Sequence, residues 1–289
     1  MVEFIYMLDI KYSQNRYRNE KELENIISGL NISKEDTFLD IGAGNGNISK
    51  ILSKYCKEVT AYELDEDRYS ELEKEVKGYE NIKVLKKNFL ESGLPKKLFK
   101  IFSNIPFFDT TEIIKKITKS GSKLEEAYLF VQKEAGERYE GRPVNTQTAT
   151  ILNGRYMIDI FKELYREDFK PVPDIDIVIL KIKRKENIVS DFNLYRDFVT
   201  YVFNQMNSNV LDTFKKIFTF NQLGYIKKEL KKNEWNIPSD ISKEYYLEIF
   251  NQFVKNDEKY ISKVRRYYQR HLKMHEGIQV IRKRRYNGI

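Results

Sequence analysis

Two short stretches of the chain carry residue types suited to chemistry. The first runs Ser103-Asn104-Ile105-Pro106-Phe107-Phe108. An exocyclic amine on a nucleobase is a poor nucleophile, because its lone pair is delocalised into the ring. An Asn side-chain oxygen and a neighbouring main-chain carbonyl can accept both N–H bonds of such an amine and favour a more tetrahedral nitrogen. Here Asn104 and the carbonyl of Ile105 or Pro106 would do this, while the Phe107 ring stacks on the base. The grouping suits methyl transfer to a base amine, where most of the catalysis is orientation and electrostatics. An Asn before Ile-Pro is also a common way to end a strand and turn, so the stretch needs a partner elsewhere in the chain.

That partner is Asp36 to Gly46, which reads Asp-Thr-Phe-Leu-Asp-Ile-Gly-Ala-Gly-Asn-Gly. A β-branched and aromatic run ends in glycines at 42, 44 and 46, with Asp40 just ahead of them. A helical pattern then begins, with Ile48, Ile51, Leu52 and Tyr55 at i, i+3, i+4 and i+7. A strand that turns through glycines into a helix lets the backbone approach a bound nucleotide, because no Cβ intervenes. Glu63 follows Gly42 by 21 positions, about the spacing at which a carboxylate ending the next strand accepts from a ribose diol. A tight turn without a ligand is the alternative, and the Glu63 spacing argues against it. The order Gly-x-Gly-x-Gly resembles the S-adenosylmethionine (SAM) site of class I methyltransferases more than a nicotinamide site, where a third glycine packs the helix over a pyrophosphate.

The elements that must position these stretches are legible as alternation. Short apolar runs predict strands over 37–41, 58–64, 82–87, 99–104, 126–132 and 175–183. Helices are predicted from about Asn19 and over 46–56, 66–77, 110–119 and 145–157. Such alternation predicts an α/β fold with a mainly parallel sheet covered by helices, and ligands bind such sheets at the C-terminal strand ends. Gly42, Glu63, Asn88 and Asn104 all fall at such ends. The charge run Lys183–Glu186 closes this part, so the expected division is a SAM-binding domain over 1–184, a helical domain over 185–256 and a basic extension over 257–289. In the second part Tyr195, Phe198, Val199, Val202, Phe203 and Met206 follow helical spacing, with further helices over 210–217, 220–231 and 243–255. Aromatic residues on these helices are read as core.

Lys and Arg number 51 against 43 Asp and Glu, a net charge of +8, which favours a polyanionic partner. The single cysteine, Cys56, excludes an internal disulfide and a cysteine metal cluster. His271 and His275 stand four apart with no zinc motif around them and read as a solvated face; no metal is expected. No apolar run is long enough to cross a membrane and no signal peptide is read at the N-terminus, so the expectation is a cytoplasmic enzyme without a membrane partner. From Lys259 onward ten Lys and Arg face the single acid Glu276, with Tyr267, Tyr268 and Tyr286 interleaved. This stretch reads as an RNA-holding arm or as a solubilising tail.

In order along the chain stand Tyr12-Ser13-Gln14-Asn15, the glycine turn, Glu63-Leu64-Asp65, Asn88-Phe89-Leu90, Asn104-Ile105-Pro106-Phe107, Phe169-Lys170-Pro171-Val172-Pro173 and Phe218-Thr219-Phe220-Asn221-Gln222. With these the chain resembles the rRNA adenine N6-methyltransferases of the Erm and KsgA type from Lys11 to about Val254. The resemblance implies a class I SAM-dependent fold with a small helical C-terminal domain, and a monomer. It implies that Gln14 and Asn15 lie near the methionine part of SAM, that Gly42 and Gly44 pass beneath it, and that Glu63 holds the ribose, with Leu64 beside it. Asn88 would accept from the cofactor's adenine amine, with Phe89 alongside. Asn104 would bridge cofactor and target, and Phe107 and Phe169 would stack on a flipped adenine. The family usually has Asp at position 88, so Asn keeps an acceptor and loses a charge; Phe107 stands where Tyr is frequent. Asn-Ile-Pro, the Thr110–Lys116 helix start and the Phe218 segment resemble Erm more than KsgA. The implied function is N6-methylation of a 23S rRNA adenine before full subunit assembly, with macrolide, lincosamide and streptogramin B resistance. The alternatives are KsgA-like dimethylation of small-subunit rRNA and a silent RNA-binding relative.

Overall fold

The computed structural model describes residues 15–205 and 209–274. Lys11, Tyr12, Ser13, Gln14, Met206, His275, Glu276, Tyr286 and the cations from Arg282 to Arg285 lie outside these. The chain forms two compact units, one of residues up to 137 together with 157–184, the other of 138–156 and the residues from 185 on.

The first unit carries strands β1 (Arg16–Tyr17), β2 (Thr37–Ile41), β3 (Glu58–Glu63), β4 (Ile82–Lys86), β5 (Phe99–Ser103), β6 (Leu124–Gln132), β7 (Tyr156–Leu164), β8 (Phe169–Lys170) and β9 (Ile177–Arg184). Seven form one sheet in the order β4-β3-β2-β5-β6-β9-β7. The pairs β2/β3, β3/β4, β2/β5 and β5/β6 are parallel, and β6/β9 is antiparallel. β2 is buried from Phe38 to Ile41, as a central parallel strand covered on both faces must be. β1 and β8 form a separate antiparallel pair that sets Tyr17 opposite Phe169.

Helices α1 (Glu20–Ser28), α2 (Asn47–Ser53), α3 (Glu66–Glu75) and α4 (Thr110–Ile117) belong to this unit. Their starts are chemically specified: Asn19 caps α1 by accepting from the Glu22 amide, and Asp65 caps α3 by accepting from Arg68. Helix α2 instead begins at Gly46, at φ +77°, where a Cβ would come within 2.6 Å of Leu72 Cδ1 on α3. The third glycine therefore packs helix α2 against helix α3.

The sheet strands fall where the alternation predicts them, with two differences. The helix expected over 145–157 stops earlier, and Tyr156 opens β7. β7 carries the polar Lys162 and Glu163 and is the end strand of the sheet order, where polar side chains are tolerated on an unshielded side. Helix α5 (Lys133–Glu140) was not expected, because its sequence KEAGERYE holds too few apolar residues to show a period.

The second unit packs α6 (Gln147–Asn153), α7 (Phe192–Phe203), α8 (Val210–Phe214), α9 (Phe220–Lys232), α10 (Lys243–Phe253) and α11 (Glu258–Val264), followed by helical residues 267–274. Its core is aromatic, as expected: Phe198 lies 5.0 Å from Phe253 and 5.6 Å from Phe250, ring to ring. Two boundaries differ from the sequence division. Residues 138–156 belong with these helices, and Ile261 and Val264 of α11 are buried in their core, so the basic stretch begins as part of the helical unit.

Candidate active site

The strand order places a switch of direction between β2 and β5: from β2 the chain runs outward through β3 and β4, then returns to the other side at β5. Ligand crevices of open parallel sheets form at this point. Gly42 leaves the end of β2 at φ +72°, and a Cβ there would sit 3.4 Å from Pro106 Cδ. The glycine turn and the Asn-Ile-Pro stretch are thus in contact, although Gly42 and Pro106 stand 64 positions apart in the sequence. Gly44, at φ +57°, would carry its Cβ into open space. Glycine at 44 is required by conformation and leaves a cradle of bare backbone.

Glu63 ends β3 and is 4 % exposed. Its Oε2 accepts from the Gly44 amide at 3.0 Å, and its Oε1 from Leu64 and Asp65 at 2.8 and 3.0 Å. These bonds occupy three of the roughly four acceptor positions of a carboxylate and fix it against the glycine turn. Leu64 beside it is 58 % exposed.

Asn88 caps the turn after β4, its Oδ1 accepting from the Leu90 amide at 2.9 Å while its Nδ2 donates to Glu91 Oε1 at 3.0 Å. Leu64, Asn88 and Glu91 line one open depression of about 700 Å³, together with Tyr62 and Lys86. The glycine turn and Asn104 are not among its walls. Phe89 faces away: it is buried, edge-on to Tyr62 at 5.3 Å, with Lys116 Nζ 5.1 Å over its ring. The same ammonium donates to the carbonyls of Leu90, at 2.8 Å, and Ser92. Lys116 thereby pins the turn that carries Asn88, a role that a lysine in a helix repeat does not advertise in sequence.

Asn104 follows β5, and its Nδ2 donates to the Asn15 carbonyl at 2.7 Å. A carbonyl can only accept, so this bond fixes which end of the amide is nitrogen and turns Oδ1 the other way. Of the two candidate carbonyls, that of Pro106 accepts from the Asp109 amide at 3.0 Å; that of Ile105 has no hydrogen bond among the described residues. Ile105 is itself buried, and Phe107 is half-buried, packed on the cluster that holds Tyr17 and Phe130. Gln14 lies outside the described residues.

Phe169 belongs to the cluster on which Phe107 packs, but lies inside it. It is 1 % exposed, with Tyr17 edge-on at 5.0 Å and Phe130 at 6.3 Å. Its β8 pairing with Tyr17 turns the ring into the core, so it has no face to offer a base, and the expected stacking role is withdrawn. Asp40, by contrast, is a group whose chemistry the sequence hid. Only 1 % exposed, it accepts from Ser49 Oγ at 2.7 Å through Oδ2, while Oδ1 is buried without a hydrogen bond among the described residues. Burial pushes its carboxyl up to about 7, against the pull of the Ser49 and Ser103 hydroxyls.

These features fit SAM: bare backbone at Gly44, a buried carboxylate at the second strand end, and an acceptor at the third. Residues 7–255 match the family model described as ribosomal RNA adenine dimethylase. An rRNA adenine N-6-methyltransferase of Escherichia coli is 31% identical over 249 residues, covering 85% of this chain and 96% of that protein. Ribosomal RNA small subunit methyltransferase A of Fusobacterium nucleatum is 30% identical over 233 residues, covering 77% and 86%. The crystal structure of the 23S rRNA methyltransferase ErmE superposes with a TM-score of 0.75 at 20% identity, covering 83% of this chain and 99% of that one. The chain belongs to the ribosomal RNA adenine dimethylase family, the SAM-dependent methyltransferases of the Erm and KsgA superfamily.

Proposed function

We propose that this enzyme methylates N6 of an adenine in 23S rRNA and thereby confers macrolide, lincosamide and streptogramin B resistance. The observation that carries the reading is the Asn104 amide, oriented by the Asn15 carbonyl at 2.7 Å at the strand end next to the glycine turn. When bound, SAM supplies an electrophilic methyl group on a sulfonium centre. Glu63 and the bare backbone of Gly42 and Gly44 hold the cofactor, with Leu64 and Asn88 toward its adenine. Asn104 Oδ1 and the Ile105 carbonyl accept the two N–H bonds of the target amine, and Phe107 stacks on the flipped base. No residue need remove a proton before attack. The chain's contribution is alignment and a fixed pair of acceptors.

The Erm-type target is favoured by the likeness to rRNA adenine N-6-methyltransferases along most of the chain. The likeness to a small-subunit methyltransferase at 30% identity supports a second reading, dimethylation of adjacent small-subunit adenines. Primer extension on rRNA from cells expressing the chain separates the two, since an N6-dimethylated adenine has no N–H left to pair and stops the transcript. A stop in 23S rRNA with raised erythromycin resistance is expected. A stop confined to small-subunit rRNA selects the second reading. SAM binding without methyl transfer to any rRNA would make the chain a silent RNA-binding relative.

A further inference from the structure

The basic C-terminal stretch lies beyond residue 255, where the family match ends, yet its described part is fixed on the helical unit. Ile261 and Val264 sit in the core. Arg266 turns the chain at φ +63°, and the helical residues 267–274 follow. The carboxylate of Asp197 on α7, 6 % exposed, accepts from the amides of Arg266 at 2.6 Å and Tyr268 at 2.9 Å. A buried charge satisfied by main-chain donors at a helix start is a strong clasp. Around it Arg196 lies 4.2 Å over Tyr268, Tyr201 meets Tyr267 edge-on at 5.1 Å, and Gln205 donates to the Tyr267 hydroxyl at 3.3 Å.

The cations of this stretch are exposed, with Lys263 Nζ also donating to the Lys216 carbonyl at 2.8 Å and the Arg270 guanidinium to the carbonyls of Arg265 and Lys263 at 2.9 and 3.1 Å. Lys255, Lys259, Lys263, Arg265, Arg266, Arg270 and Lys273 are all exposed, against the acids Asp257 and Glu258, so 255–274 carries seven positive and two negative charges, a net of +5. Among the described residues Asp257 pairs with Lys259 at 3.9 Å and Glu258 with Arg265 at 3.4 Å. Like charges held close on a rigid frame repel, and a polyanion relieves that repulsion. We propose that residues 255–274 form a preorganised face that binds the RNA phosphate backbone, with Asp197 as its clasp. Binding on a frame already ordered avoids the entropic cost that a loose arm would meet. The inference rests on the rRNA substrate assigned above.

Substituting Lys255, Lys259, Lys263 and Lys273 together by Gln in the full chain removes four outward charges without touching the core. Filter binding of a stem-loop transcript from the peptidyl-transferase region of 23S rRNA, at several salt concentrations, reads the result. Each lost phosphate contact lowers the slope of log K against log salt by about 0.7–0.9, so a fall of about 3 is expected. Kd near 0.1 M salt should rise at least tenfold while kcat at saturating RNA stays within about twofold. Asp197→Asn keeps every cation and weakens the clasp, and should raise Kd with a smaller change of slope. An unchanged slope in the quadruple variant overturns the proposal, as does loss of binding to phosphatidylglycerol vesicles with RNA binding intact. Failure of the unaltered chain to transfer tritiated methyl to any rRNA would instead sink the substrate reading, independently of the slopes.

Discussion

The side-chain amide of Asn104 donates to the main-chain carbonyl of Asn15 across 89 positions of sequence. The bond ties the strand end that faces the proposed target amine to the segment entering the fold, and decides which amide atom is left to accept. Asn104→Ala should remove an acceptor needed only while the amine is attacked. Methyl transfer is expected to fall at least a hundredfold, with SAM affinity, measured by calorimetry, within a few-fold of the parent. Near-normal turnover in single-turnover assays would take Asn104 out of the catalytic role.

Glu63 is expected to act earlier. Glu63→Ala deletes the acceptor of three main-chain amides as well as the proposed partner of the ribose, so SAM binding should weaken by tenfold or more and Tm should drop. Glu63→Gln retains one oxygen and should lie between. RNA binding should change little. Calorimetry with SAM giving the parent affinity for Glu63→Ala would remove the residue from the site.

What the sequence exposed and what it hid follow from how each residue works. That Gly42, Gly44, Glu63 and Asn104 stand at or just after strand ends was legible, because strand ends recur with the period of the fold. The Asn15 contact is made by a main-chain oxygen, which leaves no mark on residue choice. Phe169 misled because an aromatic before Lys-Pro-Val-Pro looks the same whether it faces a ligand or, as here, Tyr17 and Phe130. Asp40 stands in the sequence simply as an acid ahead of the glycines; it is burial that pushes its carboxyl up to about 7.

That protonation gives a pH signature. An Asp titrating near 3.8 when unfolded and about 7 when folded holds its proton more tightly in the folded state. Its contribution to stability is therefore full below about pH 4 and is lost as pH rises to about 7, by at most ~1.4 kcal/mol per pH unit. Asp40→Asn, which cannot ionise, should lose less stability than the parent between pH 5 and 7. Urea unfolding at those pH values measures the difference. Parallel pH profiles for the two proteins would mean that Asp40 is ionised in the fold.

Glycines 44 and 46 share a positive φ but not a reason for it, and their alanine variants should separate. At 44 a Cβ meets nothing within 4 Å, whereas at 46 it meets Leu72 at 2.6 Å and Val76 at 3.1 Å. Gly44→Ala should cost about 1 kcal/mol from backbone conformation and act mainly on SAM binding. Gly46→Ala adds a clash between helices and should cost about 2–4 kcal/mol. Denaturant midpoints should rank Gly46→Ala well below Gly44→Ala; the reverse order would mean that α2 and α3 pack otherwise.

At position 88 the neutral amide accepts from Leu90 and donates to Glu91. Asn88→Asp keeps the cap and supplies a charged acceptor for the cofactor's adenine amine, a gain of about 1 kcal/mol. It also replaces the N–H that holds Glu91 Oε1 at 3.0 Å by a second carboxylate, and repulsion between two such groups near the surface costs up to about 1 kcal/mol. That repulsion is present with and without SAM, so it lowers stability and not affinity, and Asn88→Asp alone should tighten SAM about fivefold while Tm falls. With Glu91→Gln in the background the repulsion is gone, and the same substitution should tighten SAM by the same factor without the fall in Tm. A double-mutant cycle by calorimetry gives the coupling directly. No gain in the Glu91→Gln background would mean that residue 88 does not meet the adenine amine, and the acceptor would have to be sought elsewhere along the depression lined by Leu64 and Lys86.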